Sequence, residues 1–176
     1  MKIAVIGPHD LTELDRHEIR ENIGDAFEKG NEIHVLAYRS IENEVFKYVL
    51  ERDLEDGENF APRLHVYTLK DLERLHPKLK DPIDVLMENG AKHTSFGMNE
   101  AIVTRSPYTM AWKSIMETCD SVISFFDASN EETIGKLTIP IDVAKSLGKR
   151  GALYPLPRMD ESMFLKDVDE KVRIVE

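Results

Sequence analysis

Ile3-Ala4-Val5-Ile6-Gly7-Pro8 decides the fold. Four consecutive apolar residues stopped by a Gly-Pro turn signal read as a short buried strand. Outward from it, Thr12 is placed to cap a helix with Asp15 in its first turn. Leu14, Ile19, Ile23, Ala26 and Phe27 then recur near helical spacing, and Gly30 lies just past the end. Residues 32–38 read as a second strand around Ile33, Val35 and Leu36, and Ser40 opens a second helix that buries Val45, Tyr48 and Val49. Residues 64–69 read as a third strand. Strand, helix, strand, helix, strand in that order predicts a single Rossmann-like α/β domain, with a mostly parallel sheet and helices on both faces.

Farther along, residues 56–62 are polar and read as a loop. Residues 70–80 are charged and punctuated by Pro77, and Asp81-Pro82 starts a short helix through Met87. Gly90 and Gly97 flank a stretch without periodicity, so residues 70–104 stay largely unassigned. Pro107 suits the first turn of a helix reaching Thr118. Residues 120–127 make a buried strand around Val122, Ile123, Phe125 and Phe126, residues 139–147 a helix ended by Gly148, and residues 152–154 a last strand. The domain is expected over 1–156, with 157–176 as a C-terminal extension packed on it.

The chain has 176 residues, which at roughly 150 per domain implies one domain. Hydrophobic residues make up 41%, enough for a core and too many for general disorder. The 33 acids outnumber the 23 Lys and Arg, for a net charge of −10. This balance disfavours nucleic acid or an anionic membrane as a partner, while leaving room for a local basic pocket. No apolar run approaches the ~20 residues of a membrane helix, and the start of the chain lacks the features of a signal peptide. One cysteine, Cys119, excludes a disulfide framework within the chain. A cytoplasmic protein is expected.

Ligands of doubly wound sheets sit beyond the carboxyl ends of the strands, at the point where strand order reverses. This rule selects Gly7, Pro8, His9 and Asp10 after the first strand, then Arg39 and Ser40 after the second. It also selects Arg105 ahead of the Pro107 helix, and Asp127 with the following 129–138 stretch. Gly7 either admits a ligand or makes an ordinary turn. Arg39 and Arg105 are of the type that grips phosphate bidentately; their other reading is surface ion pairs. Ser129, Asn130, Thr133, Gly135 and Thr138 read as a hydroxyl- and glycine-bearing loop before a helix, suited to phosphate or ribose. The three-glycine dinucleotide fingerprint and the Walker spacing are absent, no cofactor is expected, and the six scattered histidines show no metal-ligand spacing. Cys119 reads as a core residue. Tyr108 and Trp112 share a helix face, as core or as a base-stacking wall.

The chain resembles the SLOG superfamily, the Rossmann-like group that includes DprA/Smf DNA-processing proteins and LOG-type nucleotide hydrolases. The resemblance rests on Ile3-Ala4-Val5-Ile6-Gly7-Pro8, on Arg105 before a helix ending Met116-Glu117-Thr118-Cys119-Asp120, and on the strand Asp120-Ser121-Val122-Ile123-Ser124-Phe125-Phe126-Asp127. It also rests on Ile134-Gly135-Lys136-Leu137-Thr138 with Ala144, Gly148 and Lys149; the stretch 105–154 is the most specific. The glycine-rich segment after the second strand is replaced by Ala37-Tyr38-Arg39-Ser40, and the LOG "PGGxGTxxE" motif is absent. The position of the nucleophilic Glu of the similar nucleoside deoxyribosyltransferases falls on Pro140.

The resemblance implies a pocket for a nucleotide or nucleotide-derived small molecule, used for binding or sensing, in signalling or in defence and counter-defence. A second reading is cleavage or transfer at an N-glycosidic bond, with Glu131, Glu132 or Asp142 as the carboxylate. A third is a protein-interaction module with a vestigial pocket. Assembly into a homo-oligomer through the Trp112 helix is expected by the same analogy.

Overall fold

A computed structural model describes residues 1–98, 102–127 and 131–158, the backbone only for 131–138. Among the described residues, six strands and five α-helices alternate. They are β1 (Lys2–Ile6), α1 (Glu13–Glu28), β2 (Glu32–Leu36), α2 (Glu42–Glu55), β3 (Leu64–Thr68) and α3 (Pro77–Glu88), then β4 (Lys92–Ser95), α4 (Arg105–Thr118), β5 (Ser121–Phe126), α5 (Glu131–Ser146) and β6 (Arg150–Pro155). The sheet runs β4-β3-β2-β1-β5-β6 with every pairing parallel. This is the Rossmann-like α/β architecture that the opening residues predict. The chain winds outward from β1 to β4, then returns to place β5 on the other side of β1. Strand order therefore reverses between β1 and β5, opening a crevice beyond their carboxyl ends.

Alternate side chains of each strand feed two cores. Ile3, Val5, Ile33, Val35, Leu64 and Val66 pack under Ile19, Ile23, Val45 and Ile83 of α1, α2 and α3. Ala4, Ile6, Leu36, Tyr67 and Val122 pack under Ala111, Trp112, Ile115, Val143 and Ala144 of α4 and α5. Trp112 is 1% exposed, so its ring belongs to this core. No helix among the described residues is long and apolar enough to cross a membrane.

Local chemistry explains the element ends. Thr12 and Asp15 form a reciprocal capping box on α1, with Asp15 N–H donating to Thr12 Oγ1 at 3.2 Å and Thr12 N–H to Asp15 Oδ2 at 3.0 Å. At the other end of α1, Arg63 lies over the stacked rings of Phe27 and Phe60 and donates to the Phe27 carbonyl. Its guanidinium thereby adds a second hydrogen bond to a last-turn carbonyl that already accepts from Gly30 N–H.

Three elements depart from the sequence expectation. α3 begins at Pro77 rather than 81, with His76 Nδ1 accepting from Lys78 N–H, and it carries Pro82 in its interior. β4 falls within the unassigned stretch. Its residues Lys92, His93, Thr94 and Ser95 are polar, because an edge strand needs no apolar alternation. α5 begins at Glu131, so most of the expected 129–138 loop is helical backbone. Ser129 and Asn130 lie outside the described residues, as does the bulk of the 157–176 extension.

Candidate functional site

A cleft of about 710 Å³ opens at the carboxyl end of the sheet, on the β1–β5 reversal. Gly7, Pro8, His9 and Asp10 follow β1 into it; Tyr38, Arg39 and Ser40 follow β2; Asp127 follows β5. Val103 and Thr104 ahead of α4, Arg105 and Tyr108 of α4, and Ile139 of α5 add to the wall. Five places along the sequence thus meet at one end of the sheet.

Gly7 is glycine for a packing reason. A Cβ there would stand 2.9 Å from Ile41 Cδ1, inside contact distance. The same two loops are tied by hydrogen bonds. Ser40 Oγ donates to the Gly7 carbonyl at 2.8 Å, and Ser40 N–H donates to Glu42 Oε2 at 2.7 Å. Between them, Arg39 adopts a left-handed backbone with φ 46°, costly for a side chain with a Cβ. Glu42 is only 5% exposed, and burial pushes its carboxyl up to about 7 against backbone hydrogen bonds that pull it down. A buried acid is thus kept where it braces the turn that presents Arg39.

Arg39 and Arg105 are exposed, and neither forms an ion pair among the described residues. The Arg39 guanidinium lies 5.8 Å from the Tyr38 ring centre, and Tyr38 lies 5.8 Å from Tyr108, which meets Trp112 edge-on at 6.5 Å. Tyr108 is half-buried, and burial raises its hydroxyl above the ordinary range. Arg105 opens α4 after Thr104, whose side chain makes no cap to the first-turn N–H groups. A shallow groove of about 410 Å³ continues from Arg105 past Thr109 and Met110 to Lys113. Residues 102–116 contain no acid at all.

The remaining expected residues divide. His9 is exposed at the rim. The side chains of Glu131, Glu132, Thr133, Gly135 and Thr138 lie outside the described residues. Asp142 is exposed on α5 and does not line the cleft, and Pro140 is buried in the same helix. Among the described residues no group of three His, Cys, Asp or Glu is arranged to hold a metal ion. Cys119 is 1% exposed and burial pushes its thiol up to about 12, which keeps it protonated and inert.

Arg158 was not anticipated from the sequence. Its Nε lies 3.2 Å from Asp127 Oδ2, Nη1 lies 3.1 Å from Asp15 Oδ2, and Nη2 lies 3.5 Å from Asp10 Oδ1. Its backbone N–H donates to Asp15 Oδ1 at 2.8 Å, and its Nη1 donates to the Asp10 carbonyl. Two of these acids line the cleft, so Asp127 already has a cation before any ligand arrives.

No protein-family model matches the chain, and no curated protein matches it. Among solved structures it is similar to DNA processing protein A from Helicobacter pylori, with 14% identity and a TM-score of 0.66, covering 96% of this chain and 73% of that chain. That protein, of the DprA group named by the sequence resemblance, has a single-stranded DNA binding mode. The expectation that net charge argues against nucleic acid is therefore overturned. Net charge averages over the molecule, whereas binding responds to the local field, and here Arg39, Arg105 and Lys113 border the cleft and the groove leading from it. At this identity the likeness establishes a shared Rossmann-like fold between this chain and a DprA protein.

Proposed function

We propose that the cleft binds a phosphorylated nucleotide unit, free or within a single strand of nucleic acid. The observation that carries this reading is the meeting of Arg39 and Arg105, without ion-pair partners among the described residues, beside the Tyr38–Tyr108 ring pair. Guanidinium groups match phosphate oxygens in a bidentate fork. Aromatic rings supply a stacking surface for a base, worth about 1–3 kcal/mol per base. The cleft volume admits a mononucleotide. The DprA neighbour and the SLOG resemblance support a nucleotide ligand over an unrelated anion, and the α4 groove offers a direction in which a strand continues.

Binding without turnover is favoured over glycosidic cleavage. Among the described side chains, Asp142 stands away from the cleft, and Asp127 and Asp10 are held by Arg158. A nucleophile or base needs its carboxylate at the reacting carbon.

Calorimetric titration with AMP, adenosine, inorganic phosphate and a ten-nucleotide thymidine strand tests the reading. AMP is expected to bind more tightly than adenosine or phosphate alone. A charge-assisted hydrogen bond contributes about 1.5–3 kcal/mol, so Arg105→Ala and Arg39→Ala should each weaken AMP by roughly 10- to 100-fold. The strand binding more tightly than AMP identifies nucleic acid as the source of the nucleotide; the reverse identifies a free nucleotide. No binding of AMP or strand, or binding indifferent to both arginines, overturns the reading. Released base from AMP or NAD would replace it with catalysis.

A further inference from the structure

We infer that Arg158 is a positioning residue that makes the carboxylate-bearing floor of the cleft compatible with an anionic ligand. This inference rests on the reading of the cleft as a phosphate site.

Asp10 follows β1, Asp127 follows β5, and Asp15 lies in the first turn of α1, so three carboxylates gather where strand order reverses. Asp15 is fully buried and Asp127 is 9% exposed, which leaves little water to screen them. A phosphate entering between Arg39 and Arg105 would meet this negative floor from the opposite side. Like charges facing one another in partly desolvated surroundings oppose binding, by about tenfold for each ~1.4 kcal/mol of repulsion.

Arg158 meets all three. Its side chain is 16% exposed and reaches Asp10, Asp15 and Asp127 within 3.1–3.5 Å. Its backbone sits at φ 58°, and its N–H is spent on Asp15 Oδ1. A non-glycine residue held in the left-handed region, with backbone and side chain both committed to the acids, is fixed by those contacts. The guanidinium carries the cleft floor toward neutrality, and its hold on the Asp10 carbonyl fixes the loop that follows Gly7. It acts on the ligand through Asp10 and Asp127, by setting their charge balance and place.

AMP affinity across a small set of variants tests the inference, with thermal unfolding of each as a control. Arg158→Gln should weaken AMP about tenfold, and adding Asp127→Asn should restore it to within about threefold of the parent. Arg158→Lys, which keeps the charge and loses the fork, should retain most of the affinity. Asp127→Asn alone should tighten AMP binding, which provides the decisive reading even where Arg158→Gln fails to fold.

An anchor of purely structural kind predicts a loss in Arg158→Gln that Asp127→Asn does not repair, and that result overturns the inference. So does unchanged binding in Arg158→Gln, or weakened binding in Asp127→Asn alone. A parent protein that does not bind AMP overturns the reading of the cleft and this inference together. Binding by the parent with a contrary variant pattern overturns the inference alone.

Discussion

Replacing Glu42 with glutamine stabilises the protein at alkaline pH and leaves it nearly unchanged in acid. The carboxyl is 5% exposed, and burial moves its titration from 4.5 to about 7. Below 4.5 it is neutral in both folded and unfolded chains. As pH rises from 4.5 through 7 the unfolded chain ionises first, so the folded state loses stability over that window. Above 7 the full cost is present, about 3 kcal/mol at most for a displacement of this size. Glutamine does not titrate, and its amide oxygen still accepts the Ser40 N–H. The variant's advantage over the parent is thus near zero at pH 4.5 and grows to about 3 kcal/mol by pH 8. For a chain of this size that is a rise of about 2–4 °C in melting temperature per kcal/mol. Urea unfolding of both proteins at pH 5 and pH 8 measures the difference directly. An advantage equal at the two pH values, or a variant less stable than the parent at pH 8, refutes the reasoning.

His34 gives the opposite limb. It is 1% exposed, and burial together with neighbouring His65 lowers its titration from 6.5 to about 4. The unfolded chain takes up the proton first as pH falls through that window, so the parent should lose up to about 3 kcal/mol between pH 6.5 and 4. His34→Gln should lose correspondingly less in urea titrations; equal losses would remove His34 as the cause. Gly7→Ala should destabilise by about 1–3 kcal/mol through overpacking against Ile41. Ile41→Val in the same chain should recover part of this, read as melting temperature, and no recovery would show that the crowding lies elsewhere.

How far the sequence reveals the molecule depends on how local the determining physics is. β1 and the α1 cap are legible because each is written in adjacent residues: four apolar side chains before Gly-Pro, and a Thr with an Asp three positions on. β4 is not, since an edge strand of Lys92, His93, Thr94 and Ser95 takes its stability from pairing with β3. The start of α5 is hidden by its small and hydroxyl residues, which look like a loop, and by Pro140, which looks like a boundary. At the site, Arg39 and Arg105 are found by the rule that ligands gather past strand ends. Arg158 is beyond such a rule, because its hydrogen bond to Asp15 spans 143 positions. Glu42 is likewise hidden: an acid in the first turn of a helix usually reads as a solvated partner of the helix dipole, and only packing shows that it is buried.

The central claim, that a phosphorylated nucleotide unit occupies the cleft between β1, β2 and α4, is tested most directly by amide chemical shifts of the labelled protein titrated with AMP. The account predicts saturable shifts concentrated at Gly7, Ser40, Arg105 and Ser106. These amides line the cleft or open α4 beside it, and the shifts should vanish in the Arg39→Ala/Arg105→Ala double variant. Absence of shifts, or shifts gathered on α1, α2 and α3 across the sheet, would contradict it.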